Sequence, residues 1–194
     1  MSRELLLKTV DEHLQVVNEL RRNVDTIVEA GQVMAKSLRS GRNVLLCGNG
    51  GSAAEAQHIS AELVGRYRVE RPGLPAIALS TDSSTITAVG NDYGFERVFA
   101  RQVEALGRPG DTLVAISTSG NSANIIHAAR AARAGGLHTI ALSGGSGGEL
   151  CRVADVAIVV PHVDTARIQE THTLIGHLLC TIVEQSVLDA GNRL

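Results

Sequence analysis

Residues 44–53 of the 194-residue chain read Val44-Leu45-Leu46-Cys47-Gly48-Asn49-Gly50-Gly51-Ser52-Ala53. A short apolar run leads straight into a glycine-rich segment, and a helical pattern follows at once over residues 52–66. Glycines let backbone amides approach an anion, and a helix N-terminus adds partial positive charge. The stretch therefore predicts a strand, an anion-binding loop and a helix. A tight strand-to-helix turn without a ligand is the alternative.

The rest of the chain repeats this alternation. Its apolar runs are continuous rather than alternating, as in strands buried on both faces. Alternating strands and helices predict an α/β three-layer sandwich, a five-stranded parallel sheet flanked by helices with right-handed crossovers. The predicted strands are Asn43–Cys47, Ala76–Leu79, Thr112–Ile116, His138–Ser143 and Val156–Val160, and the helical stretches are Ser52–Arg66, Ser84–Val89, Phe95–Leu106, Ser122–Ala134 and Ala166–Leu188. The glycine cluster at 144–148 predicts only a loop.

Two helices are expected ahead of the sheet. One apolar stripe predicts the first helix, and a second helix follows, capped by Asn23 and stopped by Gly41. The apolar face of each helix must be covered, and we expect the body of the domain to cover part of it and another subunit to cover the rest. We expect one domain over residues 1–194, with an N-terminal helical segment at 1–40 and an α/β core at 43–188. The stripe consists of Leu5, Leu6, Val10, Leu14, Val17 and Leu20.

Composition excludes several classes of function. A net charge of −2 argues against a nucleic-acid binder that neutralises phosphates, and 2% aromatic residues without Trp argue against a base-stacking platform. No apolar run reaches the roughly 18 residues that a membrane span needs. Cys47, Cys151 and Cys180 form no CxxC motif and are expected to be small buried residues in a reducing cytosol. The expectation is a soluble cytoplasmic protein.

The string Gly48-x-Gly50-x-x-Ala53 also fits a dinucleotide fingerprint, which needs an acidic residue about twenty positions on at the end of the second strand. Glu70 lies in a polar, proline-bounded stretch, and Asp82 comes too late. Dinucleotide binding is therefore disfavoured.

A second candidate loop, Ser117-Thr118-Ser119-Gly120-Asn121-Ser122, follows the third predicted strand. Open α/β sheets bind ligands at the carboxyl ends of their strands. The loop has no Lys and is not a Walker loop. Its hydroxyls and helix amides predict a site for a phosphate monoester, with a Ser/Thr-rich cap as the alternative.

Candidate acid–base and metal-binding residues lie on two predicted helices. His58 and Glu62 are four residues apart and project from one face, so they either share a metal ion or hydrogen-bond to each other. His177 lies among apolar neighbours on the last helix, where it is either a core residue or a functional one. Gln169 precedes it by eight residues, about 12 Å along a helix. The spacing alone does not establish a shared ligand set.

Together these residues resemble the sugar-isomerase (SIS) fold and, more closely, the phosphoheptose isomerases. The resemblance runs from the N-terminal helices to about Gln185. The matching strings are Cys47-Gly48-Asn49-Gly50-Gly51-Ser52, Gln57-His58, Glu62-Leu63, Gly65-Arg66-Tyr67, Arg71-Pro72-Gly73, Gly90-Asn91-Asp92, Ser117-Thr118-Ser119-Gly120-Asn121-Ser122 and Arg167-Ile168-Gln169-Glu170.

The resemblance implies a role for each matching residue. Glu62 would be the general base and His177 its acid–base partner. The zinc ligands would be His58, Glu62, Gln169 and His177. The sugar would be held by Asn49, Gly50, Gly51, Glu62, Asn91, Asp92 and Gln169, and its phosphate by Ser117, Thr118, Ser119 and Ser122. The family also implies a homotetramer with active sites near subunit contacts.

The implied activity is an aldose–ketose isomerisation of sedoheptulose 7-phosphate to D-glycero-D-manno-heptose 7-phosphate through an enediol(ate). In the family this step begins the synthesis of nucleotide-activated heptose for the lipopolysaccharide core. A related SIS protein binds the bacterial replication initiator instead, but Glu62, His177 and the intact glycine loop favour the enzyme. A sugar-phosphate-sensing regulatory module and another phosphosugar isomerase are the remaining alternatives.

Overall fold

A computed structural model of the chain describes residues 2–191, which form alternating helices and strands after a helical N-terminus. Short 3₁₀ turns occupy Arg21–Asn23 and Phe95–Arg97. The helices are α1 (Arg3–Leu20), α2 (Val24–Arg39), α3 (Gly51–Val64), α4 (Ser83–Tyr93), α5 (Ala100–Leu106), α6 (Ala123–Ala134), α7 (Leu150–Val153) and α8 (Thr165–Gly191), and the strands are β1 (Val44–Gly48), β2 (Ala76–Ala78), β3 (Thr112–Ser117), β4 (His138–Gly144) and β5 (Val156–Val160).

The five strands form one parallel sheet in the order β2-β1-β3-β4-β5. Val44 of β1 pairs with Ala76 of β2 on one side and with Thr112 of β3 on the other. The chain therefore leaves β1 in one direction and returns on its opposite side at β3. This switch point opens a crevice at the carboxyl ends of β1 and β3, where α/β sheets bind ligands.

Helices cover both faces of the sheet, as the continuous apolar runs predict. Val44 and Leu46 of β1 point into a core shared with α2, α3 and α8, whereas Leu45 and Cys47 point into a second core shared with α5 and α6. All residues of β1 and β3 are buried. The predicted three-layer architecture is confirmed.

The two N-terminal helices differ in how much of their apolar surface is covered. Helix α2 packs along α8 and buries Ile27 and Met34. In α1, burial is confined to the C-terminal part, at Val16 and Leu20. The earlier part of its stripe is about half exposed, at Leu5, Leu6, Val10 and Leu14. The body of the domain therefore covers α2 and leaves an apolar face on α1.

Two local expectations are corrected, and a third is confirmed. The Asn23 side chain does not cap α2; its amide instead donates to the carbonyl oxygen of Val159 at 3.0 Å, because β5 lies within reach. The stretch predicted as one helix at Phe95–Leu106 divides into a 3₁₀ turn and α5. The glycine cluster at 144–148 forms a loop after the end of β4, as expected, and the short helix α7 follows it.

Two of the three cysteines are buried, as expected of small apolar side chains. Cys47 and Cys180 are buried and Cys151 is half-buried, and none forms a disulfide. Burial raises the pKa of the Cys47 thiol to about 12, because the thiolate would lose its hydration. Between residues 2 and 191, no helix has the length and apolarity needed to cross a membrane.

The buried His172 of α8 is expected to make the free energy of unfolding depend on pH. Its ring is 1% exposed and donates from Nε2 to the carbonyl oxygen of Ser143 at 3.1 Å. Burial lowers its pKa to about 4, which that hydrogen bond partly opposes. The unfolded chain therefore binds a proton between pH 6.5 and 4 that the folded chain does not, so the free energy of unfolding falls by up to about 3 kcal/mol as the pH drops through this range.

We expect His172→Gln to flatten this slope, because glutamine does not titrate and its amide still donates to a carbonyl. Urea unfolding at matched protein concentration, at pH 4.5 and pH 7, measures the slope. The control is His138→Gln, at an exposed histidine, which should leave it unchanged. Equal slopes in the parent and His172→Gln would show that His172 does not govern acid stability.

Candidate active site

The two predicted anion loops meet at the crevice between β1 and β3. Asn49, directly after β1, and Asn124, in the first turn of α6, exchange two amide hydrogen bonds of 2.9 and 2.8 Å. Asn124 is 3% exposed. This pair fixes the glycine loop relative to the serine loop, although 75 residues separate its members.

The hydroxyls of the serine loop divide into two groups. The Ser117 and Ser122 hydroxyls lie 3.1 Å apart and share a hydrogen bond, which secures the base of the loop. Thr118 and Ser119 instead face a cleft of about 630 Å³ that opens beside β4 and the start of α8. The cleft is lined by Thr118, Ser119, Gly144, Gly145, Ser146, Pro161, His162, Val163 and Ile168. Thr118 and Ser119 of the predicted phosphate loop therefore line the cleft, and the Ser119 hydroxyl also accepts a hydrogen bond of 3.2 Å from the backbone N–H of Asn121.

A His–Glu–His cluster lies where α3 packs on α8. The Nε2 atoms of His58 and His177 are 2.9 Å apart, and His58 Nε2 is 3.8 Å from Glu62 Oε1. One potential ligand atom from each of the three residues lies within 4.8 Å of the others. The His58 and Glu62 side chains are 42% and 23% exposed, so a small molecule can reach them. The structure thus brings together three of the predicted metal-binding residues.

Gln169 occupies the other end of the α3–α8 contact. A Cβ atom added to Gly51 would lie 2.5 Å from Gln169 Nε2, so the amide packs directly on the glycine loop. Within residues 2–191, no hydrogen bond joins its side chain to His58, Glu62 or His177. The Gln169 amide thus lies beside Gly51, which is also predicted to hold the sugar, and the eight residues from Gln169 to His177 correspond to about 12 Å along an ideal helix.

Asn91 and Asp92 lie at the exposed end of α4. In the described part of the chain their side chains hydrogen-bond only to each other, at 2.7 Å. No described contact joins them to the other predicted site residues.

The Arg167–Glu170 motif ties the start of α8 to α1. Arg167 pairs with Glu170 and also donates to the carbonyl oxygen of Thr9. The guanidinium holds the pKa of the Glu170 carboxyl below its usual value. His13 Nδ1 lies 2.8 Å from the same carboxylate. This motif joins the N-terminal helix to the helix that carries Gln169 and His177.

Sequence reasoning assigned no role to several residues at the site. Asn124 could have been identified from the sequence, because an amide side chain in the first turn after a ligand loop needs a hydrogen-bond partner when it is buried. Tyr67 stacks on His177 with ring centroids 5.6 Å apart, although its string only marked the resemblance. Ser146 and His162 line the cleft from two loops whose sequences carry no pattern that predicts a binding site.

The chain is similar to known proteins over most of its length. Residues 8–144 match the family model described as SIS domain. The chain is 53% identical over 184 residues to a phosphoheptose isomerase of Roseiflexus sp. (strain RS-1), covering 93% of each protein. It is also similar to two solved phosphoheptose isomerases, from Neisseria gonorrhoeae (TM-score 0.89, 45% identity, 94% of this chain and 98% of that one) and Francisella tularensis (TM-score 0.92, 43% identity, 95% and 99%).

Proposed function

Because the chain belongs to the SIS domain family and, within it, to the phosphoheptose isomerases, we propose that it is an aldose–ketose isomerase. It converts sedoheptulose 7-phosphate to D-glycero-D-manno-heptose 7-phosphate. The observation that carries the proposal is the close approach of the Glu62 carboxylate and the His177 imidazole in one partly exposed cluster.

In this mechanism Glu62 removes a proton from C1 of the ketose and returns it to C2. The electron pair of the broken C–H bond forms the enediol(ate) double bond. A second proton moves from the C1 hydroxyl to the C2 oxygen. An imidazole nitrogen can both accept and donate a proton, so His177 takes this second transfer. No atom is gained or lost, as an isomerisation requires.

The donor set of the cluster fits a zinc ion. Two imidazole nitrogens and a carboxylate oxygen are common zinc ligands, at about 2.0–2.2 Å from the metal. The His58 and His177 Nε2 atoms are 2.9 Å apart, His58 Nε2 and Glu62 Oε1 are 3.8 Å apart, and all three ligand atoms lie within 4.8 Å of one another, which is close enough for one ion to contact them all. We propose that His58, Glu62 and His177 hold Zn²⁺, with Gln169 as the fourth ligand if its side chain leans toward His177. When bound, the ion would polarise the substrate carbonyl.

The remaining predicted residues would bind the two ends of the substrate. The sugar is assigned to Asn49, Gly50, Gly51, Gln169, Asn91 and Asp92, and the phosphate to Ser117, Thr118, Ser119 and Ser122. Three observations support this: the packing of Gln169 on Gly51, the Asn49–Asn124 pair and the cleft beside Thr118. Binding energy at the phosphate end positions the reacting carbons at the other.

We further propose a homotetramer, one domain over residues 1–194 and a cytoplasmic location. The exposed apolar residues of α1 support the assembly, since a second subunit would cover them. Three cysteines without a disulfide agree with a reducing compartment.

The reaction is tested by incubating the protein with sedoheptulose 7-phosphate in heavy water and following the sugar by NMR, with and without a chelator. We expect an aldose signal and deuterium at the carbon that receives the proton, both lost when the metal is removed. Absence of any aldose would contradict the proposal. Turnover unaffected by exhaustive chelation would contradict the zinc assignment alone.

Ser119→Ala tests the phosphate assignment, since Ser119 faces the cleft. We expect KM to rise more for the phosphorylated sugar than for the free sugar, by a factor that corresponds to about 1 kcal/mol for one lost hydrogen bond. Steady-state kinetics on both sugars gives the comparison. Equal effects on the two would remove Ser119 from the phosphate site.

Two observations disfavour the non-enzymatic alternatives. Relatives with about half of their residues identical are named as isomerases, and the cluster holds both a carboxylate and an imidazole. A replication-initiator binder or a sugar-phosphate sensor needs neither.

A further inference from the structure

The segment between α3 and β2, residues 65–75, carries two of the family-like strings but none of the chemistry proposed above. Its Tyr67 ring stacks on the His177 imidazole, with centroids 5.6 Å apart and planes 23° from parallel. His58 meets the same imidazole edge-on at 5.0 Å. Tyr67 is half-buried and packs against the core shared by α3 and α8. The His177 ring is therefore confined between one proposed ligand and one tyrosine.

A buried ion pair anchors this segment. Arg71 Nε lies 3.5 Å from Glu184 Oε1, and the two side chains are only 2% and 6% exposed. Arg71 also donates to the carbonyl oxygens of Glu62 and Leu63, each at 2.9 Å. These carbonyls belong to the last turn of α3, where helix carbonyls lack partners and positive charge is favourable. Arg71 thereby caps the helix at the residue that carries the proposed base.

Glu184 extends the anchor to the backbone beside Tyr67. Its carboxylate accepts hydrogen bonds of 3.2 Å from the backbone N–H groups of Arg68 and Val69. Glu184 follows His177 by seven residues, two turns along α8 and on the same face. One carboxylate on α8 thus holds the chain directly after the tyrosine that covers His177.

We propose that Tyr67 is a positioning residue for His177, and that the buried Arg71–Glu184 pair keeps its ring in place. The proposal rests on the function proposed for His177. Stacking restricts the rotation of the imidazole, so its Nε2 stays directed at His58 and Glu62. Apolar residues often replace a buried ion pair without loss of stability, so the attraction between the two charges does not by itself account for this pair. Misplacing a reactive group by about 1 Å can lower a rate about 10²-fold.

The test compares Tyr67→Leu with Tyr67→Phe, which keeps the ring and removes only the hydroxyl. Calorimetric titration of the metal-free chain with Zn²⁺ should show a dissociation constant about 10- to 100-fold higher for Tyr67→Leu, as for other residues that orient metal ligands. Its kcat should fall with little change in KM. Tyr67→Phe should stay close to the parent in both. Tyr93→Leu is the matched control for Zn²⁺ affinity, because the Tyr93 ring contacts the guanidinium of Arg101 as the Tyr67 ring contacts that of Arg68, but Tyr93 lies on α4.

Glu184→Gln tests the anchor, since glutamine keeps an acceptor oxygen for the two backbone amides while losing the charge opposite Arg71. It should raise the Zn²⁺ dissociation constant in the same direction as Tyr67→Leu. Melting temperatures measured alongside separate the roles, because a purely structural tyrosine would lower the melting temperature and leave Zn²⁺ affinity unchanged.

Three outcomes would overturn the inference. In the first, Tyr67→Leu keeps the Zn²⁺ affinity and kcat of the parent. In the second, Tyr67→Phe and Tyr67→Leu lower Zn²⁺ affinity and kcat equally. In the third, the parent chain neither binds Zn²⁺ nor converts the substrate. The last would remove the proposed function as well, whereas the first two, with an active parent, defeat only the positioning role.

Discussion

Glu62→Gln is expected to lower kcat by about 10³-fold, the range in which a general base contributes to a proton transfer from carbon. Glutamine has nearly the same shape and keeps an acceptor oxygen, but its neutral amide cannot take up the C1 proton. The fold should survive, since Arg71 contacts only the backbone carbonyl of Glu62 and the side chain is partly exposed. Steady-state turnover at saturating Zn²⁺ and the entry of deuterium from heavy water are the two measurements.

Saturating metal separates the base from the ligand role of Glu62, because weakened zinc binding alone would be restored by added Zn²⁺. Glu104→Gln is the matched control: Glu104 pairs with Arg97 at 2.7 Å on the surface, away from the cluster. A kcat within tenfold of the parent for Glu62→Gln would exclude Glu62 as the base.

Gly120→Ala should destabilise the protein by about 2–5 kcal/mol and raise KM for the phosphorylated sugar. Gly120 lies inside the serine loop with φ of +65°, a left-handed conformation that costs an L-residue about 1–2 kcal/mol. An added Cβ atom would also overlap the carbonyl oxygen of Gly147, and such overpacking costs about 1–3 kcal/mol more. Urea unfolding and steady-state kinetics give the two values.

Gly41→Ala carries only the conformational cost, so the difference between the two variants measures the cost of the overlap at Gly120. Gly41 has a similar φ of +69°, but a Cβ atom added there would meet nothing within 4 Å, so only the conformational cost applies. If both variants lose the same free energy of unfolding at matched protein concentration, the close contact between the serine loop and the glycine cluster at 144–148 does not matter for stability.

The sequence predicts most of the fold because strand and helix patterns are local. The continuous apolar runs at Thr112–Ile116 and Val156–Val160 correspond to β3 and β5 within a residue at either end. Local patterns fail where a distant partner competes. Asn23 has the composition of a helix cap, yet its amide bonds to Val159, 136 residues away.

The candidate site is less completely predicted than the fold. Spacing along α3 brings His58 and Glu62 onto one face, but no periodicity identifies the imidazole that faces them. The roles of these residues came from resemblance to a family, and they stay predictions. The Asn49–Asn124 pair and the tyrosine over His177 carry no pattern of their own, since each depends on where another element packs.

By itself, the sequence determined the alternation of buried strands and helices and the glycine and serine loops that end β1 and β3. These follow from hydrophobic period and backbone freedom, which act over a few residues. Only the tertiary structure decided that β3 lies beside β1 and that α8 crosses α3 with His177 against His58, 119 residues apart. Such contacts arise because both faces of the sheet must be covered at once, a condition that no single segment of the chain can express.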